Sequence, residues 1–398
     1  MRITSSPAIS VKFLALALVA CLWAQSAPSL AAQNPPNEIV KKAAKPAVEK
    51  ATKATAKKAP AKAAAKAAAK PAAKAPAKPL SAKSAAKANA VAEAAASDAP
   101  LPVTNVSETQ DLPDYPPGAI ISQGEMKTYV TGEEDTFLDI TRNYDLGYVE
   151  LRAANPEIDP WAPGPGQKVV IPTLNLLPRT VQQGIVVNLG EMRLYYYRDG
   201  AGHAPLTYPL GIGSEGLDTP TGQTTVIRKV AGPEWHPTDR MKKIKPWLPS
   251  TVGAGASNPL GTHALYLGWP TFLIHGSNKP WGIGRRVSSG CMRMFPEDIV
   301  TMFNMVEPGI KVTVVDQPIL VGWLKDGLYL EANPSKTQSG EIEIDGTHTV
   351  TGLNDGIRNV ILHAAKVDSS RIDWSTVEKV VKERRGYPVK IAERDASK

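Results

Sequence analysis

Cysteine is scarce in this chain, which has only two in 398 residues, Cys21 and Cys291. A framework of several disulfide bonds is therefore excluded. Cys21 falls in an N-terminal segment with the composition of an export signal, so Cys291 has no plausible disulfide partner. A lone thiol in an exported protein is open to oxidation, and a chemical role explains its presence better than packing does.

Apolar runs long enough to cross a membrane are also lacking. The N-terminal run Phe13–Trp23 is about eleven residues long, which is too short to span a bilayer. Basic residues precede it and a small-x-small site at Ser29–Ala31 follows, which predicts a signal peptide over residues 1–32. The alternative is a lipobox at Leu18–Cys21, with Cys21 lipidated. Both readings predict a periplasmic, wall-associated protein, and the second adds a lipid anchor.

Basic charge is concentrated in one part of the chain. The net charge is +8, but residues 33–100 hold fourteen lysines against four acidic residues. After residue 100 acidic residues outnumber basic ones, which argues against a nucleic-acid-binding surface. The lysine tract is rich in Ala and Pro and contains few large apolar residues, so we expect a disordered tether over residues 33–125. It is a plain spacer, or a spacer whose lysines also bind anionic surfaces.

Folded structure is expected to begin near Met126. The pattern predicts strand, helix, helix and strand, at residues 129–130, 135–144, 148–155 and 168–171. This unit, residues 126–173, resembles a LysM module in phrases such as Asp135-Thr136-Phe137 and Gly166–Pro172. The resemblance implies binding to the N-acetylglucosamine-containing backbone of peptidoglycan. The alternative is a small unit that only packs against its neighbour.

A β-rich region follows from about Arg179. Many short strands with Gly/Pro turns between them predict a mainly β domain, β-sandwich-like or barrel-like. The strand candidates are residues 185–189, 192–197, 206–210, 224–229, 264–267, 272–274 and 311–315. One helix is expected over residues 297–306, where Pro296 marks its start.

The segment His275–Arg293, HGSNKPWGIGRRVSSGCMR, places one imidazole and one thiol within a glycine-rich stretch. His275-Gly276 and Ser288–Arg293 resemble the active-site signature of the L,D-transpeptidases, which have a YkuD-type catalytic domain. Further matching phrases are Thr219–Gly222 and Asn258–Gly261, and the catalytic domain is assigned to residues 179–316. The resemblance is closest to the ErfK/YbiS-like subgroup with an N-terminal LysM module. Ser289 stands where family members commonly have His, so it is not expected to be the general base.

Acyl transfer by a thiol requires a nucleophile, a base and donors for the tetrahedral oxyanion. We expect Cys291 to be the nucleophile, and His275 to accept its proton and return it to the leaving amine. A glycine before the nucleophile lets the backbone turn, so the N–H groups of Gly290 and Cys291 are expected to bind the oxyanion. The family resemblance implies that a backbone carbonyl orients His275, and we place it at Gly276.

Five residues are candidates for contacting the substrate: Arg293, Arg286, Ser289, Tyr266 and Trp281. The two arginines are expected to hold substrate carboxylates. The aromatic candidates have the alternative of being core residues. No cofactor or metal is expected, because a zinc site of His263, His275 and Cys291 would lack a carboxylate or a His-x-His phrase.

The resemblance implies an enzyme that acts on peptidoglycan. Cys291 would attack the L-centre carbonyl of the third residue of a tetrapeptide stem, release D-alanine and pass the acyl group to an amine. That amine is another stem, a D-amino acid or a lysine of an outer-membrane protein. The alternatives are an L,D-carboxypeptidase or endopeptidase that uses water, and a non-catalytic wall-binding anchor.

The C-terminal region, residues 317–398, is predicted to be a small α/β appendage packed on the catalytic domain. Strands are expected at 328–331 and 341–344, and helices at 360–366 and 373–385. Asp373 is the expected N-cap of the last helix, and Gly386 the residue that stops it.

Overall fold

One curled sheet of eight strands forms the centre of the computed structural model, which describes residues 112–394. Across the sheet the strands are Met292–Arg293 (β13), Leu273–His275 (β11), His263–Leu267 (β10), Gly222–Ala231 (β9), Lys311–Val315 (β14), Gly184–Asn188 (β5), Arg193–Tyr197 (β6) and Leu206–Pro209 (β7). The pairs β13–β11 and β14–β5 are parallel, and the other pairs are antiparallel. The fold is mainly β, as the turn-punctuated sequence indicated.

The two edges of this sheet meet through residues just beyond β7. Gly211 and Arg293 exchange backbone hydrogen bonds of 2.9 and 2.8 Å. A short parallel pair, Ile212–Gly213 (β8) with Arg286–Ser288 (β12), continues the closure. The catalytic domain is therefore built on one curled sheet, whereas a sandwich has two separate sheets.

A helix covers one face of the sheet beneath the motif. It spans Pro296–Met305, with proline in its first turn, where the missing N–H costs nothing. Ile299 and Met302 are fully buried in the same core cluster as Ile274 and Met292 of the two strands that carry the motif. This face of β11 and β13 is thus committed to the core, and the alternating residues point to the other face.

The strand–helix–helix–strand unit has its elements where they were predicted. They are Met126–Val130 (β2), Phe137–Tyr144 (α1), Tyr148–Ala154 (α2) and Lys168–Pro172 (β3), and β2 pairs with β3 in antiparallel register. The Thr136 hydroxyl caps α1 by accepting from the Asp139 N–H. The apolar faces of both helices are buried, Phe137 and Leu151 completely.

This unit packs against the loop between β11 and β12, within the segment His275–Arg293. The N–H groups of Tyr148 and Val149 donate to the carbonyls of Ile283 and Gly284, at 3.3 and 3.1 Å. A Cβ on Gly284 would lie 2.1 Å from the Gly147 Cα, so only glycine allows this approach. Arg193 of β6 also donates to Glu150 at 2.7 Å, with both side chains more than nine-tenths buried.

The buried pair predicts a large stability difference between two arginine substitutions. Arg193→Gln should lower the free energy of unfolding by about 3–5 kcal/mol, because it leaves the Glu150 carboxylate buried without its cation. Arg142→Gln breaks the Arg142–Glu297 pair between the same two parts of the chain. That pair is about half exposed, so its loss should cost about 0–1 kcal/mol. Urea unfolding of both variants measures the difference, and equal costs would contradict it.

The predicted tether ends earlier than residue 125, which corrects the sequence-based boundary. The Tyr115 hydroxyl donates to the Leu177 carbonyl at 2.8 Å, and the Ile120 N–H donates to Gln182 at 3.0 Å. Ser122–Gln123 (β1) pairs with Asn175–Leu176 (β4). The proline-rich composition did not predict ordered structure before residue 126, because this order depends on partners more than fifty residues away. The predicted signal peptide, Cys21 and the tract to residue 111 lie outside the described residues.

The C-terminal region has a core of its own. Its elements are Ile319–Trp323 (β15), Gly327–Ala332 (β16), Lys336–Asp345 (α5), Asp355–Ala365 (α6), a 3-10 turn at Ser369–Arg371, Trp374–Glu383 (α7) and Val389–Glu393 (β17). The strand expected at 341–344 is wrong. Ser335 and Gln338 form a reciprocal cap that starts a helix there. Asp373 caps α7 as expected, but the residue that ends it in left-handed conformation is Arg384.

No helix within residues 112–394 has the length and apolar content needed to cross a membrane. The remaining elements are a short helix at Asp239–Ile244 (α3), which lies in the segment between β9 and β10, and a 3-10 turn at Pro280–Gly282; the helix Pro296–Met305 is α4.

Candidate active site

The two motif strands place the predicted histidine and cysteine on one face of the sheet. Strand β11 runs parallel to β13, with Ile274 beside Met292 and His275 beside Arg293. Ile274 and Met292 point into the core, so His275, Arg293 and the preceding Cys291 share the opposite face. His275 and Cys291 are sixteen residues apart in the sequence, and the register of β11 with β13 brings them close together.

His275 is held in one tautomer by its own backbone. Its Nδ1 lies 2.6 Å from the Gly276 carbonyl, which can only accept, so Nδ1 carries the proton and Nε2 offers a lone pair. Gly276 is the residue at which we placed the orienting carbonyl. The residue must be glycine, since a Cβ there would lie 2.9 Å from the Ile299 side chain.

The imidazole is 3% exposed, and its surroundings disfavour a positive charge. Burial, and then the cation of Arg293, lower the pKa of His275 to about 3, against the opposing pull of the Gly276 and Leu260 carbonyls. His275 is therefore neutral at pH 7 and able to accept a proton.

Cys291 is half-buried on a small apolar cluster of Leu260, Ala264 and Leu273. Burial raises the pKa of its thiol to about 11, although the Leu273 N–H and the Arg293 cation act in the opposite direction. The thiol donates to the Thr271 carbonyl at 3.4 Å and not to His275. The resting pair is thus a neutral thiol and a neutral imidazole, and the sulfur must turn from Thr271 to reach Nε2.

The turn before Cys291 is held by two side chains that the sequence reasoning did not single out. The Ser288 hydroxyl donates to the Cys291 carbonyl at 2.5 Å and accepts from the Gly290 N–H at 3.1 Å. The Thr219 hydroxyl donates to the Gly290 carbonyl at 2.8 Å. Gly290 has φ +107, and a Cβ on it would lie 2.9 Å from the Phe272 ring. Both hydroxyl residues belong to phrases already recognised, which was the available signal.

The two predicted oxyanion donors differ in their hydrogen bonding within the chain. The Gly290 N–H is occupied by Ser288, so it is not free for a substrate oxygen in this arrangement. The Cys291 N–H has no acceptor among residues 112–394. Of the two predicted donors, the Cys291 N–H is therefore the available one.

The two predicted arginines have different roles. Arg286 donates to the Gly213 carbonyl, the Lys336 carbonyl and the Asp218 carboxylate at 2.9–3.3 Å, so its guanidinium is already bonded within the chain, and its contact with a substrate carboxylate stays a prediction. Arg293 has no side-chain hydrogen bond or ion pair with any described residue, and its Nε is buried without a partner. An unpaired guanidinium next to His275 and Cys291 can receive an anion.

The other candidates differ in their distance from this face. Tyr266 packs on the same apolar cluster as Cys291. Ser289 is exposed and has no hydrogen bond within the described part of the chain, and Trp281 is exposed in the 280–282 turn. His263 stacks on Phe303 on the other face of β10, at 4.5 Å between ring centres. It therefore does not share a face with His275.

The segment 232–262 covers the site face and is tied together by Asn258. This fully buried amide donates to the carbonyls of Pro233, Val252 and Gly253, and accepts from the Leu260 N–H. It thereby holds Leu260, whose side chain forms part of the cluster beneath Cys291, and Trp235, which packs against the same cluster. Asn258 was recognised only as part of a matching phrase.

The chain is similar to known proteins of one family. Residues 182–314 match the YkuD L,D-transpeptidase catalytic domain. Over 291 residues the chain is 37% identical to "Probable L,D-transpeptidase YcfS" of Escherichia coli, a match that covers 71% of this chain and 88% of that protein. The chain belongs to the L,D-transpeptidase family. It is a cysteine L,D-transpeptidase, whose thiol in the described residues is Cys291.

Other relatives carry the same family name. "Probable L,D-transpeptidase YbiS" of Escherichia coli is 36% identical over 279 residues, covering 68% of this L,D-transpeptidase and 88% of the relative. The crystal structure of an Enterococcus faecium L,D-transpeptidase C442S mutant is 23% identical, with a TM-score of 0.27, over 34% of this chain and 51% of that one.

The neutral resting pair predicts how this L,D-transpeptidase reacts with alkylating reagents. The rate constant for carboxamidomethylation of Cys291 should rise about tenfold per pH unit between pH 7 and 10, because only the thiolate reacts and its pKa is about 11. Peptide mass spectrometry would assign the modification to Cys291. A plateau between pH 6 and 8 would instead indicate a preformed thiolate–imidazolium pair.

Proposed function

We propose that this L,D-transpeptidase cuts and rejoins peptide stems of peptidoglycan. Cys291 attacks the L-centre carbonyl of the third residue of a tetrapeptide stem, D-alanine leaves, and the acyl group passes to an amine. The observation that carries the proposal is the shared face of His275, Cys291 and Arg293, with Nδ1 of His275 fixed on the Gly276 carbonyl.

The proton movements follow from the fixed tautomer. As the sulfur forms its bond to the carbonyl carbon, the thiol proton passes to Nε2 of His275. The oxyanion accepts a hydrogen bond from the Cys291 N–H. When the bond to D-alanine breaks, His275 returns the proton to the departing nitrogen and a thioester remains. The acceptor amine then attacks the thioester, loses a proton to His275, and the thiol is restored.

Arg293 is proposed to bind a substrate carboxylate beside the reacting carbonyl. It lies two residues along β13 from Cys291, its guanidinium is unpaired, and stem peptides carry several carboxylates. A carboxylate there would also offset the Arg293 cation, which is one of the two causes that lower the pKa of His275. Substrate binding would therefore make His275 a stronger base.

The strand–helix–helix–strand unit is proposed to bind the glycan backbone as a LysM module. Its loop after α2 carries Trp161, which is 59% exposed and can stack on a sugar ring. The close packing at Gly147 and Gly284 would keep a bound strand at a fixed position relative to the site. We place the enzyme in the periplasm, associated with the wall, with the lipid anchor at Cys21 as the alternative to cleavage of the signal peptide.

The acceptor is proposed to be an amine of another stem or a lysine of an envelope protein. Water is the alternative, which would make the enzyme an L,D-carboxypeptidase or endopeptidase. The purified protein should be incubated with disaccharide-tetrapeptide fragments, with and without a lysine-bearing protein, and the products weighed. Loss of D-alanine with a new amide bond supports transfer, and loss with a free carboxylate supports hydrolysis. No loss under any condition would favour a wall-binding anchor and overturn the proposal.

A further inference from the structure

A second guanidinium lies on the site face, on a strand that the motif does not include. Arg228 of β9 is exposed, and its guanidinium carbon sits 3.8 Å from the centre of the Tyr266 ring. No hydrogen bond or ion pair joins its side chain to any residue in 112–394. We propose that Arg228, stacked on Tyr266, binds a second carboxylate of the peptide substrate. This inference rests on the proposed function.

The strand register places Arg228 in one row with the nucleophile. Arg228 lies opposite Tyr266, and Tyr266 lies opposite Leu273. The parallel pairing of Ile274 with Met292 puts Leu273 beside Cys291. Residues paired across neighbouring strands share a face, so this row crosses the site face from β9 to β13. Tyr266 and Cys291 both pack on the cluster that contains Leu273.

Lys229, the next residue of β9, points to the other face of the sheet, where its charge is paired. Lys229 points away from the site, donates to the Val306 carbonyl at 2.9 Å and pairs with Glu307 at 2.8 Å. Its charge is already used to hold the sheet to the end of a helix. Arg228 has no such partner, and its stacking leaves the N–H groups at its rim free to bind an anion.

The distance from the Arg228 guanidinium to the Cys291 thiol fits an extended peptide that lies along this row. Two strand spacings of about 4.8 Å separate the Tyr266 and Cys291 backbones, so the stacked guanidinium is on the order of 10 Å from the thiol. An extended peptide advances about 3.3–3.6 Å per residue, so a carboxylate about three residues from the reacting carbonyl would reach it. Arg293 is nearer and in the adjacent row, and the two cations would hold two different carboxylates. A carboxylate of the donor stem or of the acceptor stem has the required chemistry.

The test compares Arg228→Gln with Arg228→Lys and with Arg198→Gln. Arg198 is another exposed arginine, paired with Asp199 directly after β6, and serves as the charge-matched control. One arm measures acylation of Cys291 by a tetrapeptide fragment, by intact mass, as its concentration varies. The other arm measures release of the acyl-enzyme as the acceptor stem concentration varies. The arm that changes identifies which stem carries the carboxylate.

For Arg228→Gln we expect the apparent KM for one of the two stems to rise about tenfold, with kcat within about twofold of the wild type. Arg228→Lys should recover part of the loss, and Arg198→Gln should match the wild type. A stem with its carboxylates amidated one at a time gives the decisive comparison. One amidation should cost the wild type about as much as the substitution does, and should cost Arg228→Gln nothing further.

Unchanged KM values in both arms would overturn the inference while leaving the proposed function standing. So would an equal loss in Arg228→Gln for the acidic and amidated stems, since that would indicate a structural role. A wild-type protein that is not acylated by any stem would overturn the proposed function and this inference together. A thermal unfolding midpoint equal to the wild type's excludes a damaged fold as the cause of a positive result.

Discussion

Cys291→Ala is expected to abolish acyl-enzyme formation and to lower turnover of tetrapeptide stems by roughly 10⁴-fold or more. No other thiol lies in the described residues, and the neighbouring polar groups His275 and Arg293 do not replace a sulfur nucleophile. The side chain is small and half-buried, so its loss should leave a fold of nearly unchanged stability.

The measurement is intact mass spectrometry after incubation with stem fragments. The wild type should gain the mass of the stem without D-alanine, and the variant should gain nothing. Thermal unfolding of the variant, within a few degrees of the wild type, provides the control for the fold. A stem adduct on the variant would show that another residue is the nucleophile and would contradict the assignment.

His275→Ala is expected to lower the rate of acylation at pH 7 by about a hundredfold or more, whereas Ser289→Ala should change it by less than about twofold. The reason is the protonation state of the two reacting groups. With the pKa of the thiol near 11 and that of the imidazole near 3, neither group is charged before the substrate binds. Sulfur attack at pH 7 therefore needs the Nε2 lone pair to take the proton as the bond forms.

Ser289 is the matched control because it lies in the same motif, is exposed, and has no hydrogen bond in the described part of the chain. Stopped acylation reactions, resolved by mass, give both rates. For His275→Ala the remaining rate should rise steadily from pH 7 to 10, as hydroxide replaces the missing base. A greater loss of acylation rate in Ser289→Ala than in His275→Ala would indicate that Ser289 is the general base and would contradict the mechanism.

Local patterns were sufficient to predict most of the secondary structure. Strands such as Gly184–Asn188 and Lys311–Val315 are β-branched runs between turn residues, and the helix after Pro296 has a start signal in the sequence. Errors arose where local and non-local forces compete. Residues 341–344 alternate like a strand, but a cap six residues earlier commits them to a helix. Residues 112–125 look like a linker until their distant partners are known.

The family could be recognised from the sequence alone, and the reacting pair predicted from it, because His275, Gly276 and Cys291 sit in a motif whose chemistry is local. Which polar groups are free depends on the tertiary structure. Arg286 and Arg293 are equivalent as sequence, yet the side chain of the first donates to three partners within the chain and that of the second has no partner among the described residues. The Gly290 N–H is likewise taken by Ser288. A hydrogen-bonding group is available to a substrate only if no neighbour has satisfied it, and those neighbours are set by strand register and loop closure.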